Sequence, residues 1–328
     1  MTKKRTLVYE SILGGLIKGY IEEKRAVGYK FLKAPYLLKQ FDTFVTSEKW
    51  SDLILPKQLV LLWTAKKPNE TENNRSHRIS IIRGFARYMV RLNYQAYIFP
   101  AAALTIARYS YSPYIFTESE LKNIFTICDN YPATAASANR HIMLPVLFRL
   151  LYGCGLRISE ALKLQIEEVD LEQGTLFIHS TKFGKERIVP MAKTLVERCR
   201  DYAENVHKFK TSNPFFFPSP FGGHYNDSTI YHIFRKILWK TGISHCGRGP
   251  RLHDLRHTFA VHCLKKWVLN KDDLTNLLPY LSAYLGHEDL RGTQHYLRLT
   301  ADLYPEIIAS VEQNFSFLIP EVSSHEAD

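Results

Sequence analysis

Apolar residues recur at helical spacing throughout the first third of the chain. Polar residues and a Leu55-Pro56 break separate the periodic stretches from one another. The pattern therefore predicts an N-terminal region built from helices alone. The predicted helices cover residues 12–20, 36–45, 58–63 and 75–92.

The last of these stretches has two chemically different faces. Its apolar side chains gather on one side of a helical wheel. Arg83, Arg87 and Arg91 gather on the opposite side, where no acidic residue accompanies them, and only Arg78 breaks the pattern. Such a face is either an ordinary solvated surface or one that holds phosphates and reads base edges in a major groove. We favour the second interpretation, and the candidate DNA contacts are Arg75, Arg83, Arg87 and Arg91.

A change of pattern marks a domain boundary. Residues 109–113 have no periodicity and end in Pro113, and Thr117 and Glu120 then stand in the T-x-x-E order of a capping box. This order predicts a new helix from Leu121. We therefore predict a helical domain over 1–108, a linker over 109–113 and a second domain over 114–328.

The second domain mixes helices with a small sheet. Two strand-like runs at 175–179 and 187–189 flank a turn at 181–185, which predicts a hairpin. The nearly all-apolar run at 142–152 predicts a buried helix. It is shorter than the roughly 18 residues that a membrane helix needs, so no membrane-spanning segment is expected. Further helices are predicted from residue 158, over 227–239 with Asp227 or Ser228 as its cap, over 252–267, and over 301–313.

Charge is distributed unevenly between the two domains. The chain has a formal net charge of +11. Residues 1–108 hold 19 Lys and Arg against 8 Asp and Glu, whereas the remaining residues hold 24 of each. The whole excess lies in the helical domain, which favours a nucleic-acid partner. Five scattered cysteines without a C-x-x-C pair indicate a reducing, cytoplasmic setting rather than a disulfide framework.

One segment of the second domain gathers residues suited to chemistry. His253 and His257 share a helix face, which suggests zinc, but the other histidines and cysteines complete no known ligand spacing. His253 also shares a face with Arg256. An imidazole beside a guanidinium suits phosphate chemistry, because arginine holds phosphate oxygens in a fork while histidine moves a proton. Such a pair is nevertheless common on helices.

Several short motifs in a fixed order make the pattern specific. They are Gly153-Cys154-Gly155-Leu156-Arg157-Ile158-Ser159-Glu160, Thr181-Lys182, His253-Asp254-Leu255-Arg256-His257, Leu285-Gly286-His287 and Thr293-Gln294-His295-Tyr296. In this combination the chain resembles a tyrosine recombinase of the phage integrase family, which includes Xer-type and transposon-borne integrases. The resemblance extends over about residues 10–315.

The resemblance implies a role for each motif residue. Arg157 and Arg256 would clamp the scissile phosphate, and His287 would hydrogen-bond it. His253 would exchange a proton with the nucleophile Tyr296, which would attack phosphorus and form a 3′-phosphotyrosyl link. These groups replace a metal ion, so no metal or other cofactor is expected.

For neighbouring residues the resemblance implies supporting roles, or a role for which two residues are candidates. Lys182 would protonate the leaving 5′ oxygen, with Lys185 as its rival in the same turn. Glu160 would support Arg157. His257 would be a packed histidine, or one that supports the catalytic residues, rather than a catalytic one.

The resemblance also implies an architecture and an assembly. The fold class is mainly α with a small β-sheet: a helical, SAM-like core-binding domain followed by a mixed α/β catalytic domain. The two domains would close around double-stranded DNA. A helix over 302–313 would dock on a neighbouring protomer, or alternatively fold back on its own domain. The implied assembly is a homo-tetramer on two recombination sites, or a hetero-tetramer with a related recombinase.

Three functions remain open from the sequence. The first is a site-specific recombinase or integrase that exchanges strands through a Holliday junction. The others are a DNA-binding protein of the same fold without strand exchange and an enzyme with type IB topoisomerase chemistry. The complete catalytic set and the compact two-domain form favour the first. The motifs do not specify the DNA target, nor the choice among transposition, phage integration, cassette movement and dimer resolution.

Overall fold

The computed structural model describes residues 7–101, 112–179, 186–208, 212–247, 249–287 and 291–303. The chain divides into two compact units, Met1–Tyr111 and Ser112–Asp328, and each has an apolar core. The described residues form twelve α-helices and one three-stranded sheet. This content confirms the predicted fold class, mainly α with a small β-sheet.

The first unit is helical. Its helices are α1 (Gly14–Ala26), α2 (Ala34–Ser47), α3 (Lys57–Thr64) and α4 (Glu72–Arg91). They enclose a core in which Phe41 lies edge-on to Trp63 and to Phe85. Helix α4 begins earlier than its apolar periodicity predicts, because the side chain of Thr71 accepts a hydrogen bond from the backbone N–H of Asn74 and caps the helix there.

Two glycines let α1 and α4 approach each other closely. A Cβ atom on Gly19 of α1 would lie 2.4 Å from the hydroxyl oxygen of Tyr88. A Cβ atom on Gly84 of α4 would lie 2.3 Å from the hydroxyl oxygen of Tyr20. Each glycine therefore leaves room for a tyrosine of the facing helix. The two tyrosine rings also contact each other, with their centroids 5.5 Å apart.

Arg78 departs from the arginine face of α4 because it belongs to the interior. Its side chain is only 4% exposed and forms an ion pair with Glu70, with 2.7 Å between Nη2 and the carboxylate. It also donates hydrogen bonds to the backbone carbonyls of Trp63 and Ala65 at the end of α3. These partners satisfy most of the five N–H donors of a guanidinium. Arg78 thus ties the end of α3 to α4.

The second unit combines helices with the sheet. Its described helices are α5 (Glu118–Asp129), α6 (Arg140–Gly153), α7 (Ile158–Lys163), α8 (Lys193–Val206), α9 (Asp227–Lys240), α10 (Asp254–Leu269), α11 (Leu274–Leu285) and α12 (Arg291–Leu303). The strands β1 (Val169–Asp170), β2 (Thr175–Ile178) and β3 (Arg187–Pro190) are antiparallel, in the order β1-β2-β3. Helix α6 is buried along most of its length, as its composition predicts. Within the described ranges, no helix of either unit is long and apolar enough to cross a membrane.

The start of α5 and the pairing of β2 with β3 agree with the sequence. The Thr117 side chain accepts from the backbone N–H of Glu120, and the Glu120 carboxylate accepts from the backbone N–H of Thr117. This reciprocal capping box fixes where the helix begins. Leu176 pairs with Val189 in the antiparallel register, which confirms that the two predicted strands are partners. The short β1 is an addition to the predicted hairpin.

Other details of the second unit differ from the predictions. Asn226, rather than Asp227 or Ser228, caps α9, because its side-chain oxygen accepts from the backbone N–H of Ser228. Helices α8 and α11 are not predicted, since α8 is largely polar and α11 contains Pro279. Helix α12 starts ten residues before the helix predicted over 301–313, most of which lies outside the described residues.

Replacing Arg78 by Ala should destabilise the first unit. The change removes the partner of Glu70, whose side chain is 10% exposed, and breaking a buried pair costs about 3–5 kcal/mol. Urea unfolding of the full-length protein measures the loss. The matched control is Arg87→Ala, an exposed position on the same helix, which should change the free energy of unfolding by about 0.5 kcal/mol or less. Equal stability of the two variants would contradict the structural role of Arg78.

Candidate active site

The start of α7 places an arginine against a buried carboxylate. Gly155 has a left-handed backbone (φ +57°) and leads into Arg157, the N-cap residue of α7. Glu160 accepts from the backbone N–H of Arg157 at 2.9 Å, and its other oxygen accepts from Nη1 of Arg157 at 2.7 Å. The motif folds in this way because glycine tolerates the turn and because a glutamate at the third helical position can reach back to the N-cap.

A second arginine reaches the same carboxylate from the sheet. Arg187 of β3 donates to the two oxygens of Glu160 at 3.2 and 2.9 Å, and to the carbonyl of Tyr284 at 2.8 Å. Burial opposes the ionisation of Glu160. The hydrogen bonds and charges of Arg187 and Arg157 nevertheless prevail and lower the pKa of Glu160 to about 2. The carboxylate is therefore ionised at neutral pH.

Arg256 of α10 is enclosed at the centre of this cluster. It is 1% exposed and donates to the carbonyls of Gly155 at 2.8 Å and Leu285 at 2.5 Å. Its Nη1 lies 4.0 Å from the Glu160 carboxylate. Burial and the neighbouring charge of Arg157 lower the pKa of Arg256 to about 10, so the guanidinium remains protonated at neutral pH.

The cluster carries an excess of positive charge. The guanidinium groups of Arg157, Arg187 and Arg256 surround the one carboxylate of Glu160, which leaves two positive charges. The side chain of Arg157 keeps 19% of its surface exposed, so an anion can reach it from solvent. Arginines arranged in this way suit a phosphate group, because they offer several directed N–H donors.

Two histidines lie beside the arginines. Burial, followed by the charges of Arg256 and Arg157, lowers the pKa of His253 and of His287 to about 4. Both rings are therefore neutral at pH 7 and can donate a hydrogen bond or accept a proton. His253 immediately precedes α10. His287 follows the turn that ends α11, and its Nδ1 lies 2.8 Å from the hydroxyl of Thr293.

The candidate nucleophile lies on α12 and is buried. Tyr296 is 3% exposed, and its ring stacks on that of His287 with centroids 5.9 Å apart. Its hydroxyl oxygen lies 2.9 Å from Nδ1 of His257 on α10. Burial raises the pKa of Tyr296, while the charge of Arg256 and a hydrogen bond from it act in the opposite direction. The hydroxyl therefore contacts both a histidine and the arginine cluster.

The structure brings together the predicted catalytic residues that it describes. They come from widely separated parts of the chain. Three lie in helices α7, α10 and α12, and the other three stand next to the ends of helices. Lys182 and its rival Lys185 lie outside the described residues. The predicted residues found in the cluster are Arg157, Glu160, His253, Arg256, His287 and Tyr296.

Two further residues of the cluster are not among the predicted catalytic residues. Arg187 stands in a strand, and its side chain points to the same face as the buried Val189. A charge at an inward position of a strand is the signal that could have revealed it. His257 is predicted to be a packed or supporting histidine, whereas it directly contacts the hydroxyl of Tyr296. Its spacing of one helical turn from His253 is the signal in the sequence that could have indicated its place in the cluster.

Some of the arginines on the arginine face of α4, in the first unit, have hydrogen-bond or ion-pair partners within the protein. Arg87 is exposed, and the buried Nε of Arg83 has no hydrogen-bond partner among the described residues. Arg91 forms an ion pair with Glu23 of α1, and Arg75 donates to a backbone carbonyl of α3. The prediction that no acid accompanies this face is therefore wrong for Arg91, because a wheel of one helix does not show a residue that reaches across from another.

The two histidines considered for zinc are arranged differently from a pair of metal ligands. The rings of His253 and His257 meet edge-to-face with centroids 4.7 Å apart, and Nδ1 of His257 faces Tyr296. The described part of the chain contains no group of three or more histidine, cysteine or acidic side chains that could hold a metal ion.

A sequence model of one protein family matches most of the second unit. It is the model of the phage integrase family, and it covers residues 115–302, more than half of the chain. The chain belongs to the phage integrase family. This membership confirms the resemblance drawn from the motifs, and the enzyme class of the protein is that of the tyrosine site-specific recombinases.

Relatives align with both units of this recombinase. A protein of Sinorhizobium fredii described as an integrase/recombinase is 28% identical over 305 residues, which cover 91% of this chain and 96% of the relative. The tyrosine recombinase XerC of Oceanobacillus iheyensis is 29% identical over 85% of this chain and 88% of its own. A structure of the XerH site-specific recombinase bound to a palindromic difH substrate shares the fold, with a TM-score of 0.62, 19% identity and coverage of 90% and 84% of the two chains.

Replacing Glu160 by Gln should destabilise this recombinase, and the effect should shrink in acid. The folded-state pKa of Glu160 lies at about 2, below the ordinary value of 4.5. Its charge therefore stabilises the fold above pH 4.5, and this contribution is lost as the pH falls toward 2. Between pH 7 and pH 4, the difference in the free energy of unfolding between wild type and variant should narrow by about 1 kcal/mol.

Urea unfolding at the two pH values measures this change. Glu197→Gln, at an exposed position of α8, controls for the substitution itself. A Glu160→Gln destabilisation that is the same at both pH values would contradict an ionised carboxylate held by arginines.

Proposed function

We propose that this protein cuts and rejoins DNA strands by transesterification at Tyr296. The observation that carries the proposal is the Tyr296 hydroxyl, which lies beside both His257 and the charged Arg256. A phenol with a pKa of about 10 attacks phosphorus at neutral pH only when its proton can leave and the charge that develops is balanced. A histidine and a cluster of arginines meet these two requirements.

The proposed phosphate site lies between Arg157 and Arg256. Two backbone carbonyls orient Arg256 and Glu160 orients Arg157, so neither guanidinium must reorganise as charge develops on the non-bridging oxygens. Nδ1 of His287 lies 2.8 Å from the Thr293 hydroxyl. In the tautomer in which this hydroxyl donates to Nδ1, Nε2 carries the proton and can donate to the phosphate. These donors would lower the barrier without a metal ion.

The proposed reaction exchanges one phosphodiester for another. Oη of Tyr296 bonds to phosphorus, the bond from phosphorus to the 5′ oxygen breaks, and Lys182 gives that oxygen a proton. The 3′-phosphotyrosyl link keeps the energy of the broken bond, so a 5′ hydroxyl can attack it and rejoin the strands without ATP. The family resemblance implies His253 as the proton-transferring partner of the nucleophile.

The proposed substrate is double-stranded DNA with recombination sites. The positive excess of residues 1–108 supports it, and the XerH structure is a complex with DNA. Exchange of both strands between two sites requires four nucleophiles, so we propose a tetramer that passes through a Holliday junction. Its protomers would be identical or shared with a related recombinase. The helix over 302–313 that would link them lies mostly outside the described residues.

Covalent capture on nicked DNA tests the proposed chemistry. Nicked duplexes tiled across the DNA that flanks the gene should trap the intermediate, because the short cleaved strand diffuses away. Wild-type protein should form an adduct that survives denaturation, and Tyr296→Phe should form none, because it lacks the attacking oxygen. Tyr280→Phe, at an exposed position of α11, should keep the adduct.

Two results would contradict the proposal. One is an adduct with Tyr296→Phe, and the other is the absence of a wild-type adduct on nicked duplexes that carry a site to which the protein binds specifically. Transfer of the trapped strand to a second site identifies recombination, whereas relaxation of a supercoiled plasmid without transfer would identify topoisomerase chemistry.

We also propose that the arginine face of α4 holds DNA phosphates. Replacing Arg83 and Arg87 together by Ala should weaken binding and reduce the slope of log K against log salt concentration by about one for each lost contact. Fluorescence anisotropy over a salt series measures the slope. The control is Arg198→Ala, an exposed arginine 3.8 Å from Asp129 in the second unit. An unchanged slope in the double variant would exclude this face from the DNA interface.

A further inference from the structure

The hydroxyl of Tyr296 contacts a different histidine from the one that the family resemblance assigns to it. Nδ1 of His257 lies 2.9 Å from the hydroxyl oxygen, and the two rings are tilted by 55°. His253 instead meets His257 edge-to-face, with centroids 4.7 Å apart. His257 therefore touches both the nucleophile and the histidine to which the proton is otherwise assigned.

The geometry of α10 produces this arrangement. His253 immediately precedes the helix, and its ring meets that of His257 edge-to-face. His257 lies one helical turn further along, where α10 packs against α12. This position places Nδ1 of His257 against the Tyr296 hydroxyl.

Burial makes a protein acceptor necessary for the phenolic proton. Tyr296 is 3% exposed, so bulk water has little access to its hydroxyl. Arg256, which also contacts this hydroxyl, is protonated and can only donate. The His287 ring stacks on the Tyr296 ring with an angle of 24° between the two planes, and its Nδ1 lies 2.8 Å from the Thr293 hydroxyl. Since imidazole lone pairs lie in the plane of the ring, a stacked ring is poorly placed to accept this proton.

We propose that His257, rather than His253, accepts the phenolic proton when Tyr296 attacks. The inference rests on the transesterification proposed above. The proton passes from Oη to Nδ1 of His257 as Oη bonds to phosphorus, while the bond to the 5′ oxygen breaks and Lys182 protonates that oxygen. On rejoining, His257 returns its proton to the departing tyrosine oxygen. His253 serves the phosphate beside Arg256.

The charged groups that face this pair are compatible with the transfer. Arg256 and Arg157 favour the phenolate form of Tyr296, whereas Asp254 opposes it. His253 and His287 are neutral at pH 7, since burial and the nearby arginines lower the pKa of each to about 4. A proton on His257 therefore meets no repulsion from a charged imidazole on either side.

Single-turnover formation of the covalent adduct tests the assignment. The probe is the nicked duplex that forms a Tyr296-dependent adduct with wild-type protein, and the rate is measured between pH 6 and pH 9.5. His257→Ala should be slower at pH 7 by about 100-fold or more, within the range for a lost general base. Its rate should then rise about tenfold per pH unit, because hydroxide must remove the proton, and added imidazole should restore part of the rate.

A second variant separates proton transfer from positioning. His257→Asn keeps a polar group near the place of Nδ1 but cannot accept a proton, so it should show the same slow, hydroxide-dependent reaction as His257→Ala. The matched control is His253→Asn, which should lower the rate while keeping the wild-type dependence on pH. Thermal unfolding and DNA affinity of each variant establish that it is folded and binds the probe.

Two outcomes would overturn the assignment. A wild-type rate and pH profile in His257→Asn would show that His257 only positions the phenol. A hydroxide-dependent rate that appears in the His253 variant, and not in the His257 variants, would identify His253 as the acceptor. Failure of the proposed function is a separate result, because wild-type protein would then form no Tyr296-dependent adduct at all.

Discussion

One buried carboxylate holds together the parts of the second unit that form the candidate active site. Glu160 binds Arg157 at the start of α7 and Arg187 from β3, and Arg256 of α10 lies 4.0 Å away. Three guanidinium groups in so small a volume would repel one another strongly in a medium of low dielectric constant. The ionised carboxylate offsets part of this repulsion, so that the three elements can share one site.

The end of α11 supplies the remaining partners of these arginines. The carbonyls of residues 284–286 accept hydrogen bonds from Arg187, Arg256 and Arg157, in that order. Carbonyls at a helix C-terminus have no partner within the helix and attract positive charge. Gly286 makes the contact possible, since its φ is +66° and a Cβ there would lie 2.9 Å from Arg187. Because neutral carbonyls, rather than further carboxylates, satisfy the donors, the site keeps its positive charge for an anion.

The sequence predicts which residues share the candidate site better than it predicts their contacts. The motifs carry residue type and order, and these were enough to place Arg157, Arg256 and Tyr296 in one site. Which histidine touches the nucleophile depends on how α12 packs against α10, and no pattern within a single helix contains that information. The ion pair between Arg91 and Glu23 escaped prediction for the same reason, because it joins two helices. Periodicity in the sequence thus predicts helices and strands, whereas the contacts between them become visible only in the folded structure.

Burial of the nucleophile has a consequence for the proposed reaction. A phosphotyrosyl link can return a strand to a 5′ hydroxyl only if water does not hydrolyse it first. Tyr296 is 3% exposed and its ring contacts those of His257 and His287, so its oxygen is shielded from bulk solvent before DNA arrives. Arg157 is more exposed and can meet the phosphate first. Because Arg157 is more exposed than Tyr296, a phosphate can bind to the arginine while water has little access to the tyrosine oxygen. Rejoining the strands without ATP requires this protection of the phosphotyrosyl link from water.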